Sequence, residues 1–246
     1  MTQQNTIQPH IKLDQVDKFC LLSGNPDRVP KISQHLDNSL KVADYRGLVA
    51  YKGVTPNKNI PVTVLTTGMG APSNAIVMEE AYRAGGRVFI RIGSCGSLSK
   101  KFPIGTIFIP HGAIRNEFTS AQLIPHEVPA IAHPELYQHL KNSAKSFNIE
   151  TPFGLVWTTD IYYSDDESRI KKWRDVGATC VEMESSFLFS LHSVKPDIKV
   201  ATILTADGDL EEYQNIYNGN TEERLKIFQE SVKKTIDIAI KAIETM

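Results

Sequence analysis

The sequence has few cysteines, no long apolar run and no excess of charge of either sign. Its 246 residues include three cysteines, none in a C-x-x-C pair, and 27 basic side chains against 28 acidic ones. Scattered cysteines predict neither a disulfide framework nor a zinc site and are typical of a reducing, cytoplasmic setting. Balanced charge argues against nucleic acid as a partner, because proteins that neutralise many phosphates usually carry a basic excess.

Nothing in the sequence predicts a membrane partner. No stretch approaches the roughly 20 consecutive apolar residues that cross a bilayer, and the first residues, MTQQNTIQPHIK, lack the apolar core of a secretion signal. The composition, 41% hydrophobic and 22% charged, is close to the globular average and suffices for one sizeable core.

Short apolar, β-rich runs alternate with helical patterns, and no linker-like run of Gly, Ser or Pro divides the chain. The candidate strands are 19–22, 48–51, 62–65, 88–92, 106–109, 154–157, 179–181 and 199–204. The candidate helices lie near 29–35, 73–83, 134–146, 184–192 and 222–244. This alternation predicts one α/β domain over residues 1–246, with a mostly parallel or mixed sheet covered on both faces. Ligand sites are then expected at the carboxyl ends of the strands.

The residues after the first strand suit a phosphate-sized anion. In Ser-Gly-Asn-Pro-Asp-Arg, Gly24 permits close backbone approach, a helix start presents free N–H groups, and Arg28 supplies a cation. An Asn-Pro turn with a surface arginine explains the same run. The turn around Met69, in Thr-Gly-Met-Gly, also suggests a backbone that approaches something closely, although it matches neither a P-loop nor a dinucleotide fingerprint.

Arg91 lies inside the apolar run of the fourth strand, which continues as Ile-Gly-Ser-Cys-Gly. A buried guanidinium is costly unless an anion or a carboxylate faces it. Ser94 adds a hydroxyl and the glycines leave amides accessible, so the run suits a tetrahedral phosphate. A structural ion pair beside a small-residue turn is the alternative. We expect Cys95 to be a buried thiol rather than a nucleophile, since no histidine lies nearby in the sequence.

Carboxylates follow two later strands. Glu182 and Glu184 suit the hydroxyls of a vicinal diol such as ribose, or form an acidic helix start favoured by the helix dipole. Asp207 comes just past a buried run, where desolvation favours the protonated form that a general acid needs; a plain Asp-Gly turn explains the pair equally. Tyr162 and Tyr163 follow another strand and either stack on a planar ligand or cover the core.

Taken in order, the runs GNPDRV, TTGMGAPS, RIGSCGS, VEMESS and TADG resemble the hexameric nucleoside phosphorylases, the family that joins bacterial-type purine nucleoside phosphorylase with uridine phosphorylase. The resemblance covers essentially the whole chain. It implies a mixed, partly barrel-like central sheet flanked by helices, and reversible phosphorolysis of a nucleoside to a free base and (deoxy)ribose 1-phosphate. Inorganic phosphate is then a co-substrate, and neither a metal nor an organic cofactor is required.

The resemblance also implies a role for each site residue. The phosphate-binding residues are Gly24, Arg28, Arg91 and Ser94, with Arg46 from a neighbouring subunit. The ribose-binding residues are Met69, Glu182, Met183, Glu184 and His10, which reaches across a dimer. The base-binding residues are Tyr162, Tyr163, Cys95 and Gly96, and the catalytic residues are Asp207 and Arg224. The implied assembly is a homo-oligomer, a hexamer built as a trimer of dimers.

The motifs give conflicting indications of which base the protein binds. Asp207 matches the residue that acts on purine N7, and the run YYSDDESRI is short and lacks the glutamine of the uridine-type insert. The stretch from GAIRNEF to IAHPEL nevertheless resembles the uridine-type branch. We therefore favour a purine nucleoside and keep uridine as the alternative.

Three other functions are alternatives to phosphorolysis. A nucleosidase of the same fold would not need the arginines Arg28, Arg46 and Arg91. A non-catalytic nucleoside-binding protein would keep the pocket without turnover. A Rossmann-type dehydrogenase is disfavoured, since the dinucleotide fingerprint is absent from the sequence.

Overall fold

The computed structural model describes residues 6–163, 168–211, 214–218 and 221–246. These residues form a mixed β-sheet with helices on both faces, as the alternation of elements predicts. The strands are β1 (Phe19–Ser23), β2 (Asp37–Tyr45), β3 (Leu48–Val54), β4 (Pro61–Thr66), β5 (Val88–Ser97), β6 (Ile107–Phe108), β7 (Gly112–Asn116), β8 (Ala130–Ile131), β9 (Leu155–Thr159), β10 (Ala178–Glu182), β11 (Lys199–Asp209) and β12 (Gln214–Asn215). The helices are α1 (Arg28–Ser33), α2 (Ala71–Arg83), α3 (Thr119–Leu123), α4 (Pro134–Ser146), α5 (Ser168–Asp175), α6 (Ser185–Val194) and α7 (Thr221–Glu244).

The ten-residue strand β5 is the point where the sheet divides. One path of paired strands runs β2-β3-β4-β1-β5-β10-β9-β7-β8, and β11 pairs with β5 outside this path. Residues 88–91 of β5 lie between β1 and β11, whereas residues 96–97 lie between β10 and β11. Because β1, β4, β5 and β11 are parallel neighbours, their carboxyl ends meet at one edge.

Both faces of β5 are buried, which explains its nearly continuous apolar run. Ile90 and Ile92 pack into a cluster that includes residues of α1, α4 and α7. Phe89 packs on the opposite face, into a cluster that includes residues of α2 and α6. Since side chains alternate along a strand, Arg91 faces the same side as Phe89, below the starts of α2 and α6.

Two of the elements that the sequence pattern missed, β2 and α5, lack an apolar stripe. β2 is an edge strand whose residues are exposed or half-buried, and none of the residues of α5 is buried. The turn between β2 and β3 has Arg46 at φ 55° and Gly47 at φ 78°, the left-handed pair that a two-residue hairpin prefers. Over the ranges described above, no helix combines the length and apolar character needed to cross a membrane.

Candidate functional site

Ser94 and Asp207 lie on neighbouring parallel strands at the carboxyl edge of the sheet. Cys95 on β5 is opposite Ala206 on β11, and Gly96 is opposite Gly208, so Asp207 is the extra residue of a β-bulge. A bulge redirects its side chain. Here the side chain of Asp207 interacts with that of Ser94, which favours the ionised form of the carboxyl group.

Asp207 is an unusually weak acid for its residue type. Burial raises the pKa of its carboxyl group from 3.8 to about 6, although the Ser94 hydroxyl and the charge of Arg28 act in the opposite direction. Desolvation disfavours the charged form of a carboxyl group, so this side chain retains its proton closer to neutral pH than an exposed aspartate does. The position expected for a general acid therefore has the corresponding protonation behaviour.

Arg28 is a buried cation at the start of α1, with only 8% of its surface exposed. Its Nη1 is 3.4 Å from the carbonyl oxygen of Ile92, and burial together with the charge of Arg91 lowers its pKa to about 10. Among the described residues, no carboxylate lies within 4.0 Å of its guanidinium nitrogens. Because α1 has only six residues, its helix dipole would add little to an anion site here, and the charge of the Arg28 side chain would be the main attraction.

Arg91 is held by the two glutamates that follow β10. Its Nε lies 3.1 Å from Oε2 of Glu182, and its Nη2 donates to the carboxylate of Glu184. Burial opposes the charge on Arg91, but Glu184 and Glu182 outweigh it and raise the pKa of the guanidinium. The structural ion pair considered from the sequence is therefore present.

The ion pair leaves one side of Arg91 directed to the loop after β1. A Cβ atom on Gly24 would lie 3.6 Å from Nη1 of Arg91 and 2.9 Å from the carbonyl oxygen of Gly68. Any larger residue at position 24 would collide with the Gly68 backbone and fill the space beside the guanidinium. Gly24 thus keeps Nη1 accessible while Glu182 and Glu184 occupy the other nitrogens.

Glu182 and Glu184 share Arg91 but differ in their further partners. Glu182 accepts hydrogen bonds from the hydroxyl of Thr158 at 2.8 Å and from the backbone N–H of Ser185 at 3.0 Å, so it organises the start of α6. Glu184 accepts the N–H of Gly70 at 2.5 Å. Burial, with the neighbouring Glu182, raises the pKa of Glu184. Glu182 is thus a structural anchor, and Glu184 faces the turn after β4.

The residues expected to meet the sugar lie around Glu184. Met69 precedes Gly70 in the turn and is 83% exposed, and Met183 is half-buried between the two glutamates. Gly70 has φ 81°, a conformation that favours glycine. The Gly-Met-Gly turn is therefore shaped by its glycines and fixed by the Glu184 carboxylate, with Met69 projecting from it.

The aromatic side of the site follows β9. Tyr162 and Tyr163 have ring centroids 4.9 Å apart in an edge-to-face arrangement and are both exposed, and Tyr162 interacts electrostatically with Asp207. Gly96 packs against Leu210 and Val181. As expected, Cys95 is a buried thiol; burial and a contact with Cys180 raise its pKa well above the ordinary value.

Tyr217 is a site residue that the sequence patterns missed. It lies in the turn after β12 and interacts electrostatically with both Arg28 and Tyr162. The N–H of the preceding residue, Ile216, donates to the carbonyl oxygen of Asp207 at 3.0 Å. No motif marks this position, because its proximity to Asp207 depends on how the chain returns after β11.

Three expected site residues are not part of this cluster within one chain. Arg46 is exposed at the tip of the β2–β3 hairpin, and four strand spacings separate β2 from β5, about 19 Å. His10 directs its Nδ1 to Oε1 of Glu80 at 2.5 Å. Arg224 donates to the carbonyl oxygens of Asn215 and Asn218, in the turn that contains Tyr217.

The cluster combines three chemical capabilities. Arg28, Arg91 and Ser94 can bind a dianionic oxyanion, since buried guanidinium groups and a hydroxyl are strong donors. Asp207 can deliver a proton at near-neutral pH. Glu184 can accept hydrogen bonds from hydroxyl groups. In the part of the chain that the structure describes, no three His, Cys, Asp or Glu side chains are grouped to hold a metal ion.

We expect Glu182→Ala to lower the free energy of unfolding by about 3 kcal/mol, since the change removes one buried partner of Arg91 and the acceptor at the start of α6. The matched control is Glu79→Ala, whose partially exposed carboxylate pairs with Arg83 and Lys195 and should cost under about 1 kcal/mol. Urea denaturation at pH 7 and fixed protein concentration measures both. Equal losses would contradict the structural role of Glu182.

We expect Asp207→Asn to stabilise the protein more at pH 7.5 than at pH 4.5. Because the folded pKa of Asp207 is about 6 and its ordinary value is 3.8, ionisation costs the folded state more than the unfolded chain. The penalty is absent well below pH 3.8, grows between pH 3.8 and pH 6 and is complete above pH 6, and an asparagine amide, which does not ionise, escapes it. Melting temperatures at the two pH values measure the difference.

The control for this measurement is Asp209→Asn, the same change two residues further along β11. The Asp209 carboxylate accepts the N–H of Glu211 at 2.8 Å, a bond that an amide oxygen retains. A gain from Asp207→Asn that is equal at both pH values would show that the side chain does not titrate as described.

The comparisons with known proteins agree with this geometry. A model of the phosphorylase superfamily matches residues 18–244. Guanosine phosphorylase of Halorubrum lacusprofundi is 28% identical over 97% of this chain and 99% of its own length, and uridine phosphorylase of Treponema pallidum is 30% identical over 92% of each. The structure of uridine phosphorylase from Vibrio fischeri matches with a TM-score of 0.88 at 28% identity, covering 99% of this chain and 100% of that one.

A purine enzyme matches almost as well. The structure of purine nucleoside phosphorylase from Toxoplasma gondii in complex with immucillin-H has a TM-score of 0.86 at 26% identity, covering 98% of this chain and 97% of that one. Relatives of both kinds thus span nearly the whole sequence. The chain therefore belongs to the phosphorylase superfamily, within the nucleoside phosphorylase family that joins purine and uridine enzymes.

Proposed function

We propose that the protein catalyses reversible phosphorolysis of purine nucleosides to a free base and (deoxy)ribose 1-phosphate. Inorganic phosphate is the co-substrate, and the reaction uses no metal or organic cofactor. The observation that carries the purine substrate is Asp207, a half-buried carboxyl group whose pKa is raised by desolvation and which interacts electrostatically with Tyr162. The cytoplasm is the expected location, because a reducing compartment keeps the three buried cysteines free.

Phosphate binds between Arg28 and the Nη1 side of Arg91, with the hydroxyl of Ser94 as a further donor. The support for this position is the buried charge of Arg28, which a dianion compensates, and the space that Gly24 keeps open. Fixing phosphate beneath the sugar lowers the barrier by several kcal/mol, because two reactants are held in a reactive orientation.

The sugar is held by the Gly-Met-Gly turn and the start of α6. Glu184, which already accepts the Gly70 N–H, has lone pairs left for ribose hydroxyls. Met69 and Met183 supply apolar surface to the face of the ring. Glu182 acts through its hold on Arg91 and the start of α6, so we assign it a positioning role.

The chemical step breaks the C1′–N bond, whose electron pair passes to the base, and forms a C1′–O bond with a lone pair of phosphate. Asp207 gives its proton to the departing purine, and the proton that phosphate loses restores the acid. Transfer from a positioned acid contributes about 10²–10⁴-fold to the rate. A purine suits this step because N7 accepts the proton, whereas uracil has carbonyl oxygens instead.

Uridine is the second candidate substrate. It is favoured by the Treponema pallidum relative and the Vibrio fischeri structure, which are both uridine phosphorylases. Against it stands the short segment between Tyr163 and α5, which contains no glutamine to pair with uracil. The acidic group at Asp207 provides a proton donor that a purine uses more directly.

We expect base release from inosine, guanosine and adenosine to require phosphate and to exceed release from uridine in kcat/KM. Asp207→Asn should lower the purine value by about 10²–10⁴-fold, whereas the control Asp209→Asn should change it little. A coupled assay of free base with each nucleoside, with and without phosphate, measures these rates. Equal release without phosphate would show hydrolysis, and faster cleavage of uridine would show a uridine phosphorylase.

We also propose that the protein assembles from dimers, as a hexamer in the form of a trimer of dimers, in which Arg46 completes the partner's phosphate site. Arg46 projects from an exposed hairpin and is too far from its own cluster to reach it. The adjoining strand β2 exposes apolar side chains as well, with Leu40 at 67% and Tyr45 at 42%. A second copy would cover this surface and place the guanidinium.

Co-expression tests whether Arg46 acts across an interface. Arg46→Ala and Asp207→Asn should each be weak alone, but random mixing should restore about a quarter of the wild-type sites, since half the dimers are mixed and each has one intact site. The matched control mixes Arg46→Ala with the double variant Arg46→Ala/Asp207→Asn, which should restore nothing. Activity that stays at the level of the separate variants would show that Arg46 serves its own chain.

A further inference from the structure

Thr158 is a buried polar residue at the end of β9 that the proposed reaction does not use directly. Its side chain is fully buried, and the parallel register of β9 and β10 places it opposite Glu182. The Thr158 hydroxyl accepts the backbone N–H of Ser186 at 3.0 Å and donates to Oε1 of Glu182 at 2.8 Å. A backbone N–H only donates and an ionised carboxylate only accepts, so each of these bonds has one possible direction.

The carboxylate of Glu182 is held on both of its oxygens. Oε2 accepts the Nε–H of Arg91 at 3.1 Å and the backbone N–H of Glu184 at 2.9 Å. The backbone N–H of Ser185 lies 3.0 Å from each oxygen, and the Thr158 hydroxyl is the side-chain donor to Oε1. Because Thr158 and Arg91 bind opposite oxygens, the hydroxyl fixes the rotation of the carboxylate that Arg91 meets.

The orientation of the Arg91 guanidinium decides where its third nitrogen lies. Glu182 engages Nε and Glu184 engages Nη2, whereas Nη1 is 3.6 Å from the point where a Cβ atom on Gly24 would lie. A guanidinium is planar and rigid, so a rotation of the Glu182 carboxylate would displace Nη1 from the space beside Gly24. The position of the donor that faces the ligand is thus set from β9, two strands away from β5.

The other partner of Thr158 is equally fixed. The hydroxyl of Ser186 donates to Oε1 of Glu117 at 2.8 Å, and Oε2 of Glu117 accepts the backbone N–H of Ser120 at 2.9 Å. Ser186 and Glu117 are both buried, so water does not compete for these bonds. Thr158 therefore lies between a fixed helix start and Glu182, and any other rotamer would leave one buried partner without a hydrogen bond.

We propose that Thr158 is a positioning residue for phosphate, because its hydroxyl orients Glu182 and Glu182 directs Nη1 of Arg91 to the oxyanion. The inference rests on the proposed function, since it concerns the phosphate site of that reaction. The sugar contacts assigned to Glu184 depend on the Gly70 N–H and not on Thr158. Loss of the Thr158 hydroxyl is therefore expected to weaken the binding of phosphate and not that of the nucleoside.

Thr158→Val removes the hydroxyl and keeps a β-branched side chain of similar shape. Sulfate is the probe, since it has the charge and the tetrahedral shape of the phosphate dianion. We expect Thr158→Val to raise the dissociation constant for sulfate by about tenfold at pH 7, the factor that corresponds to the loss of one hydrogen bond. Thr158→Ser keeps the hydroxyl and should bind sulfate as the wild type does. Calorimetry well below the melting temperature of each variant measures these constants.

Thr202→Val is the matched control. Thr202 is also fully buried beside the start of α6 and lies opposite Arg91 in the register of β11 and β5. Its hydroxyl bonds that of Ser185 at 3.3 Å and not the carboxylate of Glu182. The control should lower the melting temperature and leave the sulfate constant unchanged. In a steady-state assay, Thr158→Val should raise the KM for phosphate and leave the KM for inosine near the wild-type value.

The outcomes separate this inference from the proposed function. Unchanged sulfate affinity in Thr158→Val would overturn the positioning role while base release still required phosphate. Equal weakening in Thr158→Val and Thr202→Val, or weakening in Thr158→Ser, would assign the loss to packing and would also overturn it. If Thr158→Val does not fold, Thr158→Cys replaces it, since a thiol is a weaker donor and should bind sulfate less tightly than Thr158→Ser. A wild type that binds no sulfate would remove the phosphate site, and with it both the proposed function and this inference.

Discussion

The rest of the site depends on the buried contact of Arg91 with Glu182 and Glu184. It joins the middle of β5 to the end of β10, and through the Thr158 and Gly70 partners of the glutamates it also fixes β9 and the turn after β4. Separating one of these charges from its partners inside the protein is costly, so the loops are held in one arrangement. A position for a ligand exists because this contact leaves one face of Arg91 open beside Gly24.

Near this contact, Arg28 and Asp207 lie where burial disfavours their charged forms. Arg28 has a lowered pKa and Asp207 has a raised pKa, so the charged form of each side chain would be more stable in water than it is in the site. A ligand that compensates such groups stabilises them, and active sites often lower the stability of the free protein for this reason. In the proposed function, the dianionic phosphate compensates the positive charge of Arg28, and the departing base accepts the proton of Asp207.

In the proposed assembly, a partner copy completes the cluster. Within one chain, Arg46 lies at the far edge of the sheet, and the N-terminal segment is tied to α2 through Glu80. A partner copy that supplies Arg46 would couple the completion of the site to assembly.

Local patterns were enough to identify the strands β1, β3, β4, β5, β6, β9, β10 and β11, the packed helices α1, α2, α4, α6 and α7, and the family, since these depend on apolar periodicity and on short contiguous motifs. Residues 164–167, within the segment that bears on base choice, lie outside the described structure. The polar edge strand β2 and the unburied helix α5 have no such pattern. Tertiary structure alone decided that Glu182 anchors Arg91 while Glu184 faces the Gly-Met-Gly turn, that a bulge directs Asp207 to Ser94, and that Tyr217 returns to the site. The hydrogen bonds of Glu182 and Glu184 in this set join residues 91 and 114 positions apart, and the energies of these contacts come from burial and charge, which no local run of residues determines.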